Sequence, residues 1–177
     1  MVKCMKKLYI DFDGVILNTI EKSYEILKNK NINTKDFIEV TKFYRSLNWN
    51  EFIKECNQIN DSILCLKKLI DSKMFDVNIL THVNTKEESI AKKEYLEQYF
   101  NDIKFIAVDR NIAKTDAVEA NNAILVDDFK ENLIDWENHG GIGIHFDENL
   151  KKSKFKVINR LDELINVFSS QEYIILV

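Results

Sequence analysis

The chain of 177 residues contains no proline, four glycines and three cysteines, and each scarcity removes a class of explanation. Without proline, and with so little glycine, element boundaries must be read from hydrophobic periodicity rather than from turn residues. No internal repeat and no low-complexity linker is visible. Cys4, Cys56 and Cys65 are odd in number and have neither the paired spacing of a zinc site nor the density of a disulfide scaffold, so they read as reduced, mostly buried thiols. No long basic run exists and the formal net charge is -4, which argues against polymeric nucleic acid or an anionic membrane surface as partner. No apolar stretch approaches a membrane-spanning length. The opening MVKCMKKLYI lacks the apolar core of a secretion signal because Lys3, Lys6 and Lys7 interrupt it, so the expectation is a cytoplasmic protein.

What is present is a 45% hydrophobic chain, enough for one substantial core with room for a small insert. Leu8 to Phe12, Val77 to Leu80, Phe105 to Val108, Ile124 to Val126 and Ile142 to Phe146 are short, bounded apolar runs, as expected for parallel strands buried on both faces. Helical patterns lie between them. In NTKEESIAKKEYLEQYF, Thr85 and Glu88 have capping-box spacing, and Ile90, Ala91, Tyr95 and Leu96 form the apolar face; FKENLIDWENHGG reads as a helix stopped by Gly140 and Gly141. Such alternation predicts an open α/β sheet with a ligand crevice beyond the carboxyl ends of its strands. From Thr19 to about Ser72 the alternation stops, and TIEKSYEILKNK, TKDFIEVTKFYRSL, NEFIKECNQI and DSILCLKKLIDS follow one another without a strand. We therefore expect a core formed by residues 1–18 and 63–177 and a small helical cap, residues 19–62, inserted after the first strand.

The chemistry-bearing residues fall at the strand ends. Asp11 and Asp13 follow the first strand, with Gly14 permitting a tight turn; Thr81 ends the second; Lys114 follows the third; Asp127 and Asp128 end the fourth. Four carboxylates gathered at one sheet edge repel one another unless a cation neutralises them. An oxygen-only donor set with places left for water and phosphate suits Mg2+, and phosphoryl transfer is a reaction in which positioning and charge neutralisation do most of the work.

DFDGV, ILTH, Lys114 in AKTD, and ILVDD resemble, in this order, the four motifs of the haloacid dehalogenase-like (HAD) phosphohydrolases. The likeness covers most of residues 7–146 and implies a Rossmann-like HAD core. The adjacent Asp127-Asp128 pair and the run through VDRNIAKTD look more specifically like the 5'(3')-deoxyribonucleotidase branch, although His82 and Val83 stand where that branch usually carries Ser and Pro. The resemblance implies Asp11 as nucleophile and Asp13 as the acid that protonates the leaving oxygen and then activates water. It further implies Thr81 and the backbone N-H of His82 as phosphate ligands and Lys114 as a charge-offsetting group. Mg2+ would be held by Asp11, Asp127 and the backbone carbonyl of Asp13, with Asp128 either touching the metal or standing one contact behind it, and Gly14 would lie at the substrate. The substrate implied is a small phosphomonoester, a nucleoside monophosphate within that branch; a sugar phosphate or other small metabolite is the alternative.

Simpler roles compete with these. Asp128 could be a helix N-cap, and His82 a strand-end filler. Phe43, Tyr44 and Trp49 could contact a nucleobase, or could form the cap's own core. A calcium loop fails on Val15 to Leu17, which stand where its ligands are needed. A receiver-type signalling domain places its lysine after the last active-site strand, whereas Lys114 precedes ILVDD. A silent phosphate-binding module shares the residues and is separated only by turnover.

Overall fold

In the computed structural model, which describes residues 5–170, the apolar runs assemble into a six-stranded sheet. β1 (Lys6–Ile10), β2 (Phe75–Val83), β3 (Lys104–Asp109), β4 (Ile124–Asp127), β5 (Ile142–Phe146) and β6 (Lys156–Ile158) lie in the order β3-β2-β1-β4-β5-β6. Every neighbouring pair is parallel. Alternate side chains enter two separate apolar clusters: Leu8, Ile10, Ile79, Ile124 and Val126 on one face, and Tyr9, Leu80, Leu125 and Trp136 on the other. Burial on both faces is why these strands read as continuous apolar runs.

The helices are α1 (Thr19–Asn29), α2 (Phe37–Ser46), α3 (Trp49–Glu55), α4 (Ser62–Asp71), α5 (Lys86–Glu97), α6 (Lys114–Ala117), α7 (Lys130–Asn138) and α8 (Glu163–Ser169). Local chemistry sets several of their starts. The Asp36 carboxylate accepts from the amides of Ile38 and Glu39 at 3.0 and 3.1 Å, and Thr85 Oγ1 accepts from Glu88 N at 3.1 Å. At the far end of α7 the chain turns through Gly140, whose φ of +79° favours glycine. The segment that carries α1 to α3 is closed at its base by one set of bonds. Asn18 N donates to Asn57 O at 3.0 Å, Asn57 N donates to Asn18 Oδ1 at 2.7 Å, and Ile59 N donates to Ile16 O at 3.0 Å. α4 then packs on β2, and α3 packs on α5.

Several expectations are revised. β2 runs past Leu80 to Val83, because its pairing with β3 continues to Val83 opposite Asp109. β6 and α8 had no counterpart in the sequence reading. The capping box is half formed: Glu88 Oε2 reaches past Thr85 to the backbone and side-chain amides of Asn84, at 2.7 and 3.0 Å. On α5 the expected apolar Ile90 is exposed, while Glu88 and Lys92 are buried beside Ala91 and Leu96. Cys65 is buried and Cys56 half-buried, both free thiols; Cys4 lies outside the described residues. Among the described residues no helix is long and apolar enough to cross a membrane.

Candidate active site

β1 sits in the middle of the sheet, between β2 and β4, so the chain that follows it enters the edge where the strands end. Asp11 N donates to Val126 O at 2.9 Å, which extends the β1-β4 pairing by one step and fixes Asp11 beside the end of β4. The chain then turns at Gly14, whose φ is +67° and whose N-H donates to Leu17 O at 2.9 Å. A Cβ at Gly14 would stand 2.4 Å from Asp128 Oδ2, so glycine here allows both the turn and the approach of that carboxylate.

The two aspartates face different partners. Asp11 is buried; its Oδ1 accepts from Phe12 N at 2.8 Å and lies 3.1 Å from Lys114 Nζ. Lys114, itself buried in the first turn of α6 rather than in an open loop, donates to Asp127 Oδ2 at 2.7 Å. Asp127 also accepts from Asn132 Nδ2 and from Phe129 N, both at 2.9 Å. Asp127, not Asp128, therefore holds an amide at the start of α7. The carboxylates of Asp11, Asp127 and Asp128 present ligand atoms within 4.8 Å of one another. Burial, reinforced by Asp11, Asp127 and Asp13, pushes Asp128 up to about 8; burial pushes Asp11 up to about 6, against the opposing pull of Lys114. Lys114 moves above its ordinary value, because Asp11 and Asp127 outweigh the cost of its burial. Three clustered carboxylates with only one ammonium among them fit a hard divalent cation such as Mg2+.

Asp13 turns the other way. Its Oδ1 accepts from Thr19 Oγ1 at 2.7 Å, and its Oδ2 accepts from Lys92 Nζ at 2.5 Å and from Thr81 Oγ1 at 3.4 Å. Its carboxylate is not part of the Asp11–Asp127–Asp128 group. Lys92 is fully buried and also donates to Glu88 Oε1 at 2.7 Å and His82 O at 3.0 Å. Thr19, Lys92 and Asn132 were not singled out from the sequence, and Glu88 only as a capping residue. The signal for the central pair was the i, i+4 spacing of Glu88 and Lys92, on the same face of α5 as Leu96.

The remaining candidates divide. The His82 ring is tied by Nε2 to Ile112 O at 2.9 Å, and burial, with Lys114 and Arg110 nearby, lowers its pKa. A cavity of about 340 Å³ opens from Asp13 toward the helical segment, walled by Tyr44, Trp49 and Phe52, with Arg45 and Arg110 also lining it. Tyr44 and Trp49 stack at 11° with centroids 6.2 Å apart, and Trp49 Nε1 donates to Tyr44 O at 3.2 Å. Phe43 is buried beneath Lys30 and is absent from the cavity wall, so the expectation of a substrate contact there fails on placement.

No protein-family model matches the sequence, and no curated protein sequence matches it. Solved structures do. A predicted phosphatase from Clostridium acetobutylicum superposes with a TM-score of 0.65 at 14% identity, covering 94% of this chain and 100% of the other. A HAD phosphatase from Thermococcus onnurineus gives 0.62 at 16% identity, covering 93% and 98%. The D,D-heptose 1,7-bisphosphate phosphatase of Burkholderia thailandensis gives 0.56 at 13%, covering 93% and 99%. The fold is therefore the Rossmann-like α/β fold of the HAD hydrolases.

Proposed function

We propose that this chain is a divalent-cation-dependent phosphomonoester hydrolase that works through an aspartyl-phosphate on Asp11. The observation that carries the reading is the opposed setting of the two aspartates: Asp11 faces Lys114, Asp127 and Asp128, whereas Asp13 faces Thr19, Thr81 and Lys92. A nucleophile and a proton-transfer group are thus held two residues apart without sharing partners. With a pKa near 6, Asp11 is largely ionised at neutral pH. In the first step an Asp11 oxygen bonds to phosphorus as the ester P–O bond breaks, and Asp13 gives its proton to the departing oxygen. In the second, Asp13 takes a proton from water as the water oxygen bonds to phosphorus and the Asp11–phosphorus bond breaks.

Lys114 offsets charge on Asp11 and on the phosphoryl oxygens, and Thr81 Oγ1 with the His82 amide donates to those oxygens. Mg2+ would be held by Asp11, Asp127, Asp128 and the Asp13 carbonyl, and would supply neutralisation of the phosphate charge. Within this class we assign nucleotides as the first substrate candidates, on the strength of the Asp127-Asp128 pair and the planar Tyr44-Trp49 wall beside Asp13. A sugar phosphate is the second reading, favoured by the likeness to a heptose bisphosphate phosphatase.

The deciding assay is hydrolysis of p-nitrophenyl phosphate with Mg2+, repeated in excess EDTA and with Asp11→Asn. Turnover should require the metal and should vanish in the variant. Full activity in EDTA, or more than a few per cent retained by Asp11→Asn, would refute the reading. A phosphate-release screen over deoxynucleotides, ribonucleotides and sugar phosphates then decides the substrate.

A further inference from the structure

The chain has three arginines, Arg45, Arg110 and Arg160, and they are used differently. Arg160 is engaged structurally, with its guanidinium 3.1 Å from Asp61 Oδ2 and 3.2 Å from Asp162 Oδ1. Arg45, in the last turn of α2, and Arg110, in the turn after β3, come from distant parts of the chain, yet both line the cavity that begins at Asp13. Neither side chain has a hydrogen bond or ion pair with another described residue, in a chain with 29 acidic residues. Asp109, the acid adjacent to Arg110, instead accepts from the backbone and side-chain amides of Asn111, both at 2.9 Å.

The cavity lining carries Asp13, Glu88 and Asp109 as its acidic groups and Arg45 and Arg110 as its basic ones. Of these, Asp13 and Glu88 are both bonded to Lys92. Val40, Tyr44, Trp49 and Phe52 supply a largely apolar wall. The two guanidinium groups, without a described protein partner, line the same cavity. Arg110 N donates to Val83 O at 3.1 Å, which holds its backbone beside the end of β2. A planar guanidinium without a protein partner is a ready fork for carboxylate or phosphate oxygens.

We propose that Arg45 and Arg110 bind a second anionic group of the substrate, carboxylate or phosphate, other than the scissile phosphate. The inference rests on the phosphohydrolase reading and narrows its substrate class to phosphomonoesters with two anionic groups. Among nucleotides it selects a nucleoside bisphosphate over the monophosphate. The arginines are binding and specificity residues and take no part in the bond changes at phosphorus.

The test uses matched pairs: phenyl phosphate against 4-carboxyphenyl phosphate, and thymidine 5'-monophosphate against thymidine 3',5'-bisphosphate. Initial phosphate release is measured for the wild-type chain and for the Arg45→Gln/Arg110→Gln double variant, with Mg2+ throughout. In at least one pair the wild type should favour the two-anion member by about 10-fold or more in kcat/KM, expressed mainly in KM, as charge-assisted bonds to a partly exposed anion allow. The pair that responds tells carboxylate from phosphate. In the double variant the preference should collapse to within about 2-fold, while both single Arg→Lys variants retain part of it, which a merely structural role would not produce. A wild-type preference near one in both pairs overturns the inference while leaving the hydrolase intact, and so does a preference that persists in the double variant. No turnover of any of the four compounds would instead overturn the hydrolase reading, and the inference with it.

Discussion

Replacing Lys92 with methionine removes one charge from a place where Asp13, Glu88 and the His82 carbonyl depend on it. The ammonium is fully buried, 2.5 Å from Asp13 Oδ2, 2.7 Å from Glu88 Oε1 and 3.0 Å from His82 O. Burial alone would lower its pKa, but Asp13 and Glu88 outweigh that and hold it above the ordinary lysine value. The stabilisation linked to that upward shift is complete below the unfolded-state pKa of about 10.4 and is lost only as pH rises through the higher folded value, so a measurement at pH 7 sees all of it. Deleting one member of a buried pair typically costs about 3 to 5 kcal/mol, because the abandoned charge stays desolvated. Here Glu88 keeps two amide donors from Asn84, and Asp13 keeps Thr19, which places the loss toward the lower end, about 3 kcal/mol. For a domain whose total stability is on the order of 5 to 15 kcal/mol, urea unfolding resolves this easily. Glu88→Gln/Lys92→Met should be more stable than Lys92→Met alone, since one orphaned carboxylate is gone. Turnover in the single variant should fall chiefly in kcat, because Asp13 is no longer held. A loss below about 1 kcal/mol, or a double variant less stable than the single, would refute this account of the buried network.

The metal reading predicts a pH signature. Asp11 and Asp128, raised to about 6 and 8, are most favourable to the metal-free fold when protonated. Their contribution is complete below about pH 4 and fades as pH rises through 6 and 8, so the melting-temperature gain from Mg2+ should be larger at pH 8.5 than at pH 5; an equal or reversed gain counts against it. Gly14→Ala, which forces a Cβ to within 2.4 Å of Asp128 Oδ2 at a positive φ, should lower stability by about 1 to 2 kcal/mol and weaken Mg2+ affinity, as read by calorimetry. Trp49→Ala opens a hole in a buried aromatic cluster and should cost about 3 to 5 kcal/mol in urea unfolding. It should also lower kcat/KM for nucleotides by about 5- to 150-fold and for p-nitrophenyl phosphate by less; equal losses would leave Trp49 a packing residue only.

Much of this arrangement was legible before the structure because its signals are local. Five apolar runs announced five of the six strands, and Asp11 and Asp127 could be placed at strand ends by counting, whereas Thr81 stands inside β2 and Lys114 opens α6. β6, three residues long with one exposed, carries no such run. Other misses are questions of side-chain direction, which composition does not encode. Lys92 and Lys93 are adjacent and chemically identical, yet one is buried against Asp13 while the other reaches Glu97 at the surface. Phe43 and Tyr44 are neighbours on α2, and only the second faces the cavity. Asp127 and Asp128 likewise look interchangeable in ILVDD. Strand alternation aims Asp127 at Lys114 and Asp128 at Gly14, and so decides which of the two holds the α7 amide.

The central position of β1 also orders the assembly of the molecule. Leu8 pairs with Val77 on one side and with Ile124 on the other, so the first strand made finds its second neighbour only after most of the chain exists. Loop closure over such separations must be met before the contacts reward it, which places this topology among the slower folders. With no proline in the sequence, there is no prolyl isomerisation to add a later phase. The carboxyl edge of the sheet inherits that timetable: Asp11 and Asp13 are synthesised before Lys114, Asp127 and Asp128, and have none of them to answer until β4 docks. The proposed chemistry would thus be withheld from every partly folded species that lacks the middle of its own sheet.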